Sequence, residues 1–266
     1  MTKPLSRNEL AVVGATDAEL ARALVAKARA AMGELSGASQ QALDECVTAL
    51  AWSHYQIEAA TELAEIAVRD TGLGNVADKT EKVRRKTFGT LRDLSRVKST
   101  GVIEESSSLG LVKFAKPVGV VAALCPTTNP ASTAVNKAMM ALKGGNAIVL
   151  APSPSGWTTI ARSAELMRDA LEKIGRPADL VQVLPRPVTK PRTDALMAAC
   201  DLVVATGTAL IWTQVSDTSS QRENWLLMFL LPTLLMGVNL FCDIIAMRAI
   251  GSYYAHFKHK FAWSWG

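Results

Sequence analysis

Histidine is scarce in this chain, with three in 266 residues, and cysteine nearly as scarce, with four. His256 and His259 stand close enough to share a helix face, but no third ligand type accompanies them, which argues against a metal centre. His54 has no visible partner. Cys46, Cys125, Cys200 and Cys242 are widely spaced, with neither a CxxC pair nor the framework of a small secreted fold, so a reducing compartment is expected. The first residues, MTKPLSRNELAVVG, lack the uninterrupted apolar core of an export signal, which points to a cytoplasmic location. Charge of one sign is also modest: the net charge is +5 and the sequence pI about 9.1. Lys82, Arg84, Arg85 and Lys86 are interrupted by Val83 in a mixed-charge helix, with no aromatic interleaving, which speaks against a nucleic-acid partner.

Aromatic residues are almost absent from most of the chain. Trp52, Tyr55, Phe88, Phe114 and Trp157 are the ones that precede position 210. Trp212, Trp225, Phe229, Phe241, Tyr253, Tyr254, Phe257, Phe261, Trp263 and Trp265 crowd the C-terminal stretch after it. A shift that sharp marks a boundary near Ala209. It divides the chain into a leader (1–15), a main domain (16–209) and an apolar, aromatic tail (210–266).

Within the main domain, Thr16 to Glu19 matches a capping box and opens a helix whose apolar stripe is Leu20, Leu24, Ala28 and Ala31. A second helical region, with room for a break, runs from Ser39 to Asp70, where Gly72 supplies a C-cap. Gly72 and Gly74 do not form a dinucleotide glycine motif, because no strand precedes them and no third glycine succeeds them at the required spacing. A helix over Asp78 to Val97 leads to two short β-prone runs, Gly101 to Ile103 and Leu111 to Phe114.

The most informative stretch is Lys116 to Pro154. Val118 to Leu124 and Ala147 to Leu150 are apolar runs of strand length. Between them, Asn129 followed by Pro130 is a helix start: a side-chain acceptor at the cap, then a residue with no N–H to satisfy. The result is a βαβ unit with parallel strands buried on both faces. Beyond it come a helix over Thr158 to Ile174, a strand over Leu180 to Leu184, a helix over Thr193 to Cys200 and a strand over Leu202 to Ala205. This alternation predicts an α/β fold, N-terminal helices followed by an incomplete Rossmann-like parallel sheet.

Residues 126–130, PTTNP, together with LGLVKFAKPVGVVAA and NAIVLAPSP, resemble the start of the NAD-binding domain in the aldehyde dehydrogenase superfamily. They are similar to its CoA-acylating branch, and within that branch to acylating sulfoacetaldehyde dehydrogenases. The resemblance covers roughly Asp17 to Thr208. It implies NAD or NADP as cofactor, coenzyme A as co-substrate, a small aldehyde as substrate and a homo-oligomer in intact members. The β-prone runs match the ribbon such enzymes use for subunit contacts.

By the same resemblance, Asn129 donates its side-chain amide to the developing oxyanion, although its plainer role is to cap the helix begun by Pro130. Thr127 and Thr128 lie near the nicotinamide end of the cofactor. Ala151, Pro152 and Ser153 occupy the region of the adenosine ribose, where relatives often carry Lys or His instead. Thr206, Gly207 and Thr208 match the turn near the pyrophosphate, where a glycine admits close backbone approach.

The reaction needs a thiolate nucleophile, which relatives carry in a later domain, and nothing after Ala209 resembles that domain. The expectation is therefore a shortened member, inactive alone. Cys125 ends a strand near Asn129 but does not match the nucleophile and reads as a core residue, while Cys242 sits in an apolar run. That run, Asn224 to Cys242, is uncharged and at ~1.5 Å per residue would span roughly 28 Å, near bilayer thickness. Pro232 and Asn239 interrupt it, and Arg248, Lys258 and Lys260 fall on the wrong side for a span. Three readings stay open for the tail: a frameshift or fusion product, a membrane segment, or a buried helical extension. The membrane reading defines a rival function, a noncatalytic anchored protein derived from a dehydrogenase fold.

Overall fold

The computed structural model describes residues 16–205. The leader, the tail with its candidate span 224–242, and Thr206, Gly207 and Thr208 lie outside the described residues. No helix among the described residues is long and apolar enough to cross a membrane.

Four helices come first: α1 (Asp17–Gly33), α2 (Gln40–Tyr55), α3 (Ile57–Thr71) and α4 (Val76–Ser95). The capping box at Thr16 and Glu19 is complete in both directions. The break in the second helical region falls at Gln56, which leaves helical geometry with ψ 136° between α2 and α3. Gly72 closes α3 in the left-handed conformation, φ 66°. In α4, Arg85 and Lys86 face solvent, and Arg84 stacks over Tyr55 while donating to the Tyr55 carbonyl at 3.1 Å. This is the mixed-charge surface that the sequence suggests.

Next comes an antiparallel ribbon, β1 (Gly101–Ser106) with β2 (Leu111–Ala115). Leu109, Leu111, Val112 and Phe114 are exposed along it.

The sheet is built from β3 (Val120–Cys125), β4 (Ala147–Pro152), β5 (Val181–Val183) and β6 (Leu202–Val204), all parallel, in the order β5-β4-β3-β6. The connecting helices are α5 (Pro130–Lys143), α6 (Trp157–Lys173) and α7 (Lys190–Ala199). The expected strand over Leu180 to Leu184 is shorter, because a 3-10 turn takes Ala178–Leu180 before the chain straightens. β3 and β4 are buried almost throughout. Strands this apolar require cover on both faces. On one face α1 lies over β3 and β4 and packs against α7; α5 packs on β3 and β4, α6 on β4 and β5, and both meet α2.

Small residues make the layers close. Ala21, Ala28, Ala122, Ala134 and Ala138 are fully buried in a single core with Leu50, Ile148, Leu150, Ile160 and Met167. Asn146 ties α5 to the sheet: its Oδ1 accepts from Val118 N at 2.7 Å and Gly119 N at 3.0 Å, and its Nδ2 donates to Ala141 O at 3.1 Å. His54, which shows no partner in sequence, is buried between Ser53 and Ser163.

Candidate functional site

Chain order reverses direction between β3 and β6. In an open α/β sheet, ligands bind in the crevice beyond the carboxyl ends of the strands at such a point. The turn leaving β3 carries Pro126, Thr127, Thr128 and Asn129 into that crevice, and the segment leaving β4 carries Ser153 to Gly156 beside it. The Thr127 hydroxyl joins the two, donating to Ser153 Oγ at 2.9 Å and lying 3.1 Å from Ser155 Oγ. Ala151 and Pro152 sit inside β4, paired with Leu124 and Cys125 and buried. They shape the strand end, so the polar groups offered there come from Ser153, Ser155 and Thr127.

Asn129 precedes α5 with φ −138° and ψ 63°, and its side chain makes no capping bond to the helix. This corrects the expectation that its side-chain acceptor caps α5. The helix starts without it because Pro130 has no N–H and Thr133 N finds the Asn129 backbone carbonyl at 3.1 Å. Asn129 also lines a small hollow with Leu63, Lys79, Lys82 and Pro130.

Two lysines that sequence reasoning missed hold this region. Lys137 on α5, 5% exposed, donates to Leu124 O and, at 3.3 Å, to Val204 O, bridging the carboxyl ends of β3 and β6. Burial holds its ammonium below the usual lysine range. Lys79 on α4 donates to Thr128 O at 2.9 Å. Nothing in the local pattern singles either out, because each partner is a backbone carbonyl distant in the chain.

The three described cysteines are not activated. Burial pushes the Cys125 thiol up to about 12, against a weak opposing pull from Lys137. Burial, assisted by Asp201, pushes Cys200 up to about 11. Cys46 is also raised by burial. Cys125 is a core residue, as the sequence suggests. Among the described residues no cluster of His, Cys, Asp or Glu could hold a metal ion.

The residues at the crevice suit a nicotinamide dinucleotide. Hydroxyls at the end of β4 match ribose hydroxyls, and a Cβ at Gly156 would stand 2.8 Å from Ser153 Oγ, so a side chain there would displace that hydroxyl.

Comparison with known proteins extends the likeness beyond the turn. The chain is 50% identical over 190 residues to the acylating sulfoacetaldehyde dehydrogenase of Cupriavidus necator, a match covering 71% of this chain and 38% of that protein. Its structure is similar to that of an acetylating aldehyde dehydrogenase from Geobacillus thermoglucosidasius, at TM-score 0.69 and 34% identity, over 76% of this chain and 45% of that one. It is also similar to a propionaldehyde dehydrogenase of Rhodopseudomonas palustris, solved with bound CoA and an acylated cysteine, at TM-score 0.63 and 26% identity, over 77% and 47% of the two chains. The chain spans about two-fifths of the length of the curated relatives it matches. The model of the aldehyde dehydrogenase family matches residues 1–228, which include the sheet, the switch point and the turn bearing Asn129, and the chain belongs to that family.

Proposed function

We propose that this chain contributes the cofactor side of a CoA-acylating aldehyde dehydrogenase, converting an aldehyde, NAD or NADP and coenzyme A to an acyl-CoA and the reduced cofactor, with sulfoacetaldehyde as the substrate. The observation that carries this reading is Asn129: it stands at the switch point with its carboxamide free of the helix behind it, where an oxyanion donor is needed. A preorganised donor of this kind acts on charge that develops only in the transition state. The bound cofactor supplies the hydride acceptor. Thr127, Ser153 and Ser155 orient its ribose, and Thr128 lines the nicotinamide end. Thr206, Gly207 and Thr208 serve the pyrophosphate in this reading.

The nucleophilic thiolate comes from outside residues 16–205, because Cys46, Cys125 and Cys200 are all held as thiols. A thiol held protonated is a poor nucleophile.

The test is titration of the purified full chain with NAD and NADP, monitored by tryptophan fluorescence. Saturable binding supports the reading, and no binding of either overturns it. In any assembly that turns over sulfoacetaldehyde with CoA, Asn129→Ala is expected to lower kcat by about 10²- to 10³-fold while leaving cofactor binding unchanged.

A further inference from the structure

Lys79 is 9% exposed, yet it is a lysine on a helix whose other cations largely face water. Its stem runs past Gly74, where a Cβ would stand 3.4 Å from Lys79 Cε, and Gly74 itself has φ +73°. A side chain at position 74 would be strained by its backbone, and the stem lies at ordinary van der Waals distance from it. Asn75 then starts α4 by accepting from Asp78 N at 2.8 Å, which fixes where Lys79 leaves the helix. Gly74 and Asn75 therefore do more than lead into a helix. They flank the slot through which Lys79 reaches the turn after β3.

At the end of that slot the ammonium meets the Thr128 carbonyl at 2.9 Å. An ammonium has three donors and a high cost of leaving water. Burial and the neighbouring Lys82 hold it below the usual lysine range, and no carboxylate pairs with it among the described residues. A methionine would fill the same space without that cost. The carbonyl it holds belongs to the planar peptide joining Thr128 to Asn129, so fixing it fixes the direction in which residue 129 leaves the turn. Asn129 needs such a fix because its own side chain is not tied to the helix behind it.

We infer that Lys79 is a positioning residue for Asn129, holding the 128–129 peptide so that the carboxamide points into the crevice. The inference rests on the reading of Asn129 as the oxyanion donor, but its test does not need turnover.

The side-chain amide of Asn129 is observed by ¹⁵N–¹H correlation in the full chain, assigned by its loss in Asn129→Asp. The indole N–H of Trp157, which donates to Leu184 O at 2.9 Å, is the reference for an intact fold. Lys79→Met keeps the stem and deletes the donor. It is expected to shift or broaden the Asn129 signal while the Trp157 signal stays in place, and Lys79→Arg is expected to restore Asn129. An unmoved Asn129 signal in Lys79→Met overturns the proposal. So does loss of both signals in Lys79→Met together with an unmoved Asn129 signal in the shorter Lys79→Gln. Because binding of NAD or NADP is measured separately, a failed positioning role and a failed dehydrogenase reading give different results.

Discussion

A Cβ added to Gly119 would stand 2.1 Å from Oδ2 of Asp201, the oxygen that accepts from Val120 N at 2.7 Å. Nη2 of Arg29 donates to both oxygens of the same carboxylate, at 2.8 Å to Oδ2 and 3.0 Å to Oδ1. Gly119 thus leaves room for the clamp that joins α1, the start of β3 and the entry to β6, and its φ of 126° is open to glycine almost alone.

Gly119→Ala is expected to destabilise the chain by about 3 kcal/mol or more, since it combines a steric clash with a disfavoured dihedral. Urea unfolding monitored by circular dichroism measures this. A loss below about 0.5 kcal/mol would show that Asp201 moves aside freely.

Asp201 gives the clamp a pH dependence. The Val120 N–H, then Arg29, hold its carboxyl below the usual aspartate range. With the folded value below the unfolded one, the contribution is present above about pH 3.9 and is lost as pH falls through the folded value. Asp201→Asn is expected to flatten the acid limb of a melting-temperature profile below about pH 4.

His54 acts in a higher window. Complete burial lowers it from 6.5 to about 3, so the folded chain keeps it neutral. Between those values the unfolded state binds more protons, and stability rises with pH up to about 6.5 and is flat above. Ser163→Ala leaves Nε2 without its partner and is expected to cost about 1–3 kcal/mol at neutral pH. Thermal melts at about pH 5 and about pH 8 separate the two effects: the pH difference should persist in Ser163→Ala and shrink in His54→Gln.

The end of β4 presents hydroxyls from Ser153 and Ser155, which bond to Thr127 and, among the described residues, to no carboxylate. A carboxylate there is what usually selects NAD by binding the ribose 2′-hydroxyl. NADP is therefore expected to bind at least as tightly as NAD, and Ser155→Asp to shift the ratio about tenfold toward NAD, or ~1.4 kcal/mol. Calorimetric titration with both cofactors checks it, and a wild-type preference of about tenfold for NAD would refute it.

Iodoacetamide near neutral pH is expected to leave Cys46 and Cys125 unmodified in the folded chain and to label Cys200 slowly. Rapid labelling of Cys125, read by peptide mass spectrometry, would contradict its burial and its raised thiol.

Local signals account for most of what the sequence reveals. The Thr16 to Glu19 box, the Gly72 cap and the apolar runs at β3 and β4 act over a few residues, so their pattern suffices to place α1, the end of α3 and the βαβ unit. The role proposed for Asn129 is suggested only through resemblance, since from its neighbours alone it reads as a helix cap, a role its side chain does not take. Lys79 and Lys137 are illegible for a different reason. Their partners include carbonyls 49 and 67 residues away, and a lysine in a helical pattern ordinarily faces water. His54 and Ser163, 109 residues apart, likewise meet only once α2 and α6 have packed.

The place of β3 in the sheet also sets an order of assembly. One edge of β3 is met early, since Asn146 ties to Gly119 across 27 residues; the other waits for a contact 81 residues distant, Asp201 to Val120. A chain emerging from the ribosome can close β3 on β4 well before β6 exists. Until then a strand that ends up inside the sheet is an open edge, able to template pairing with another nascent chain. The Arg29, Asp201 and Val120 clamp is the contact that ends this interval.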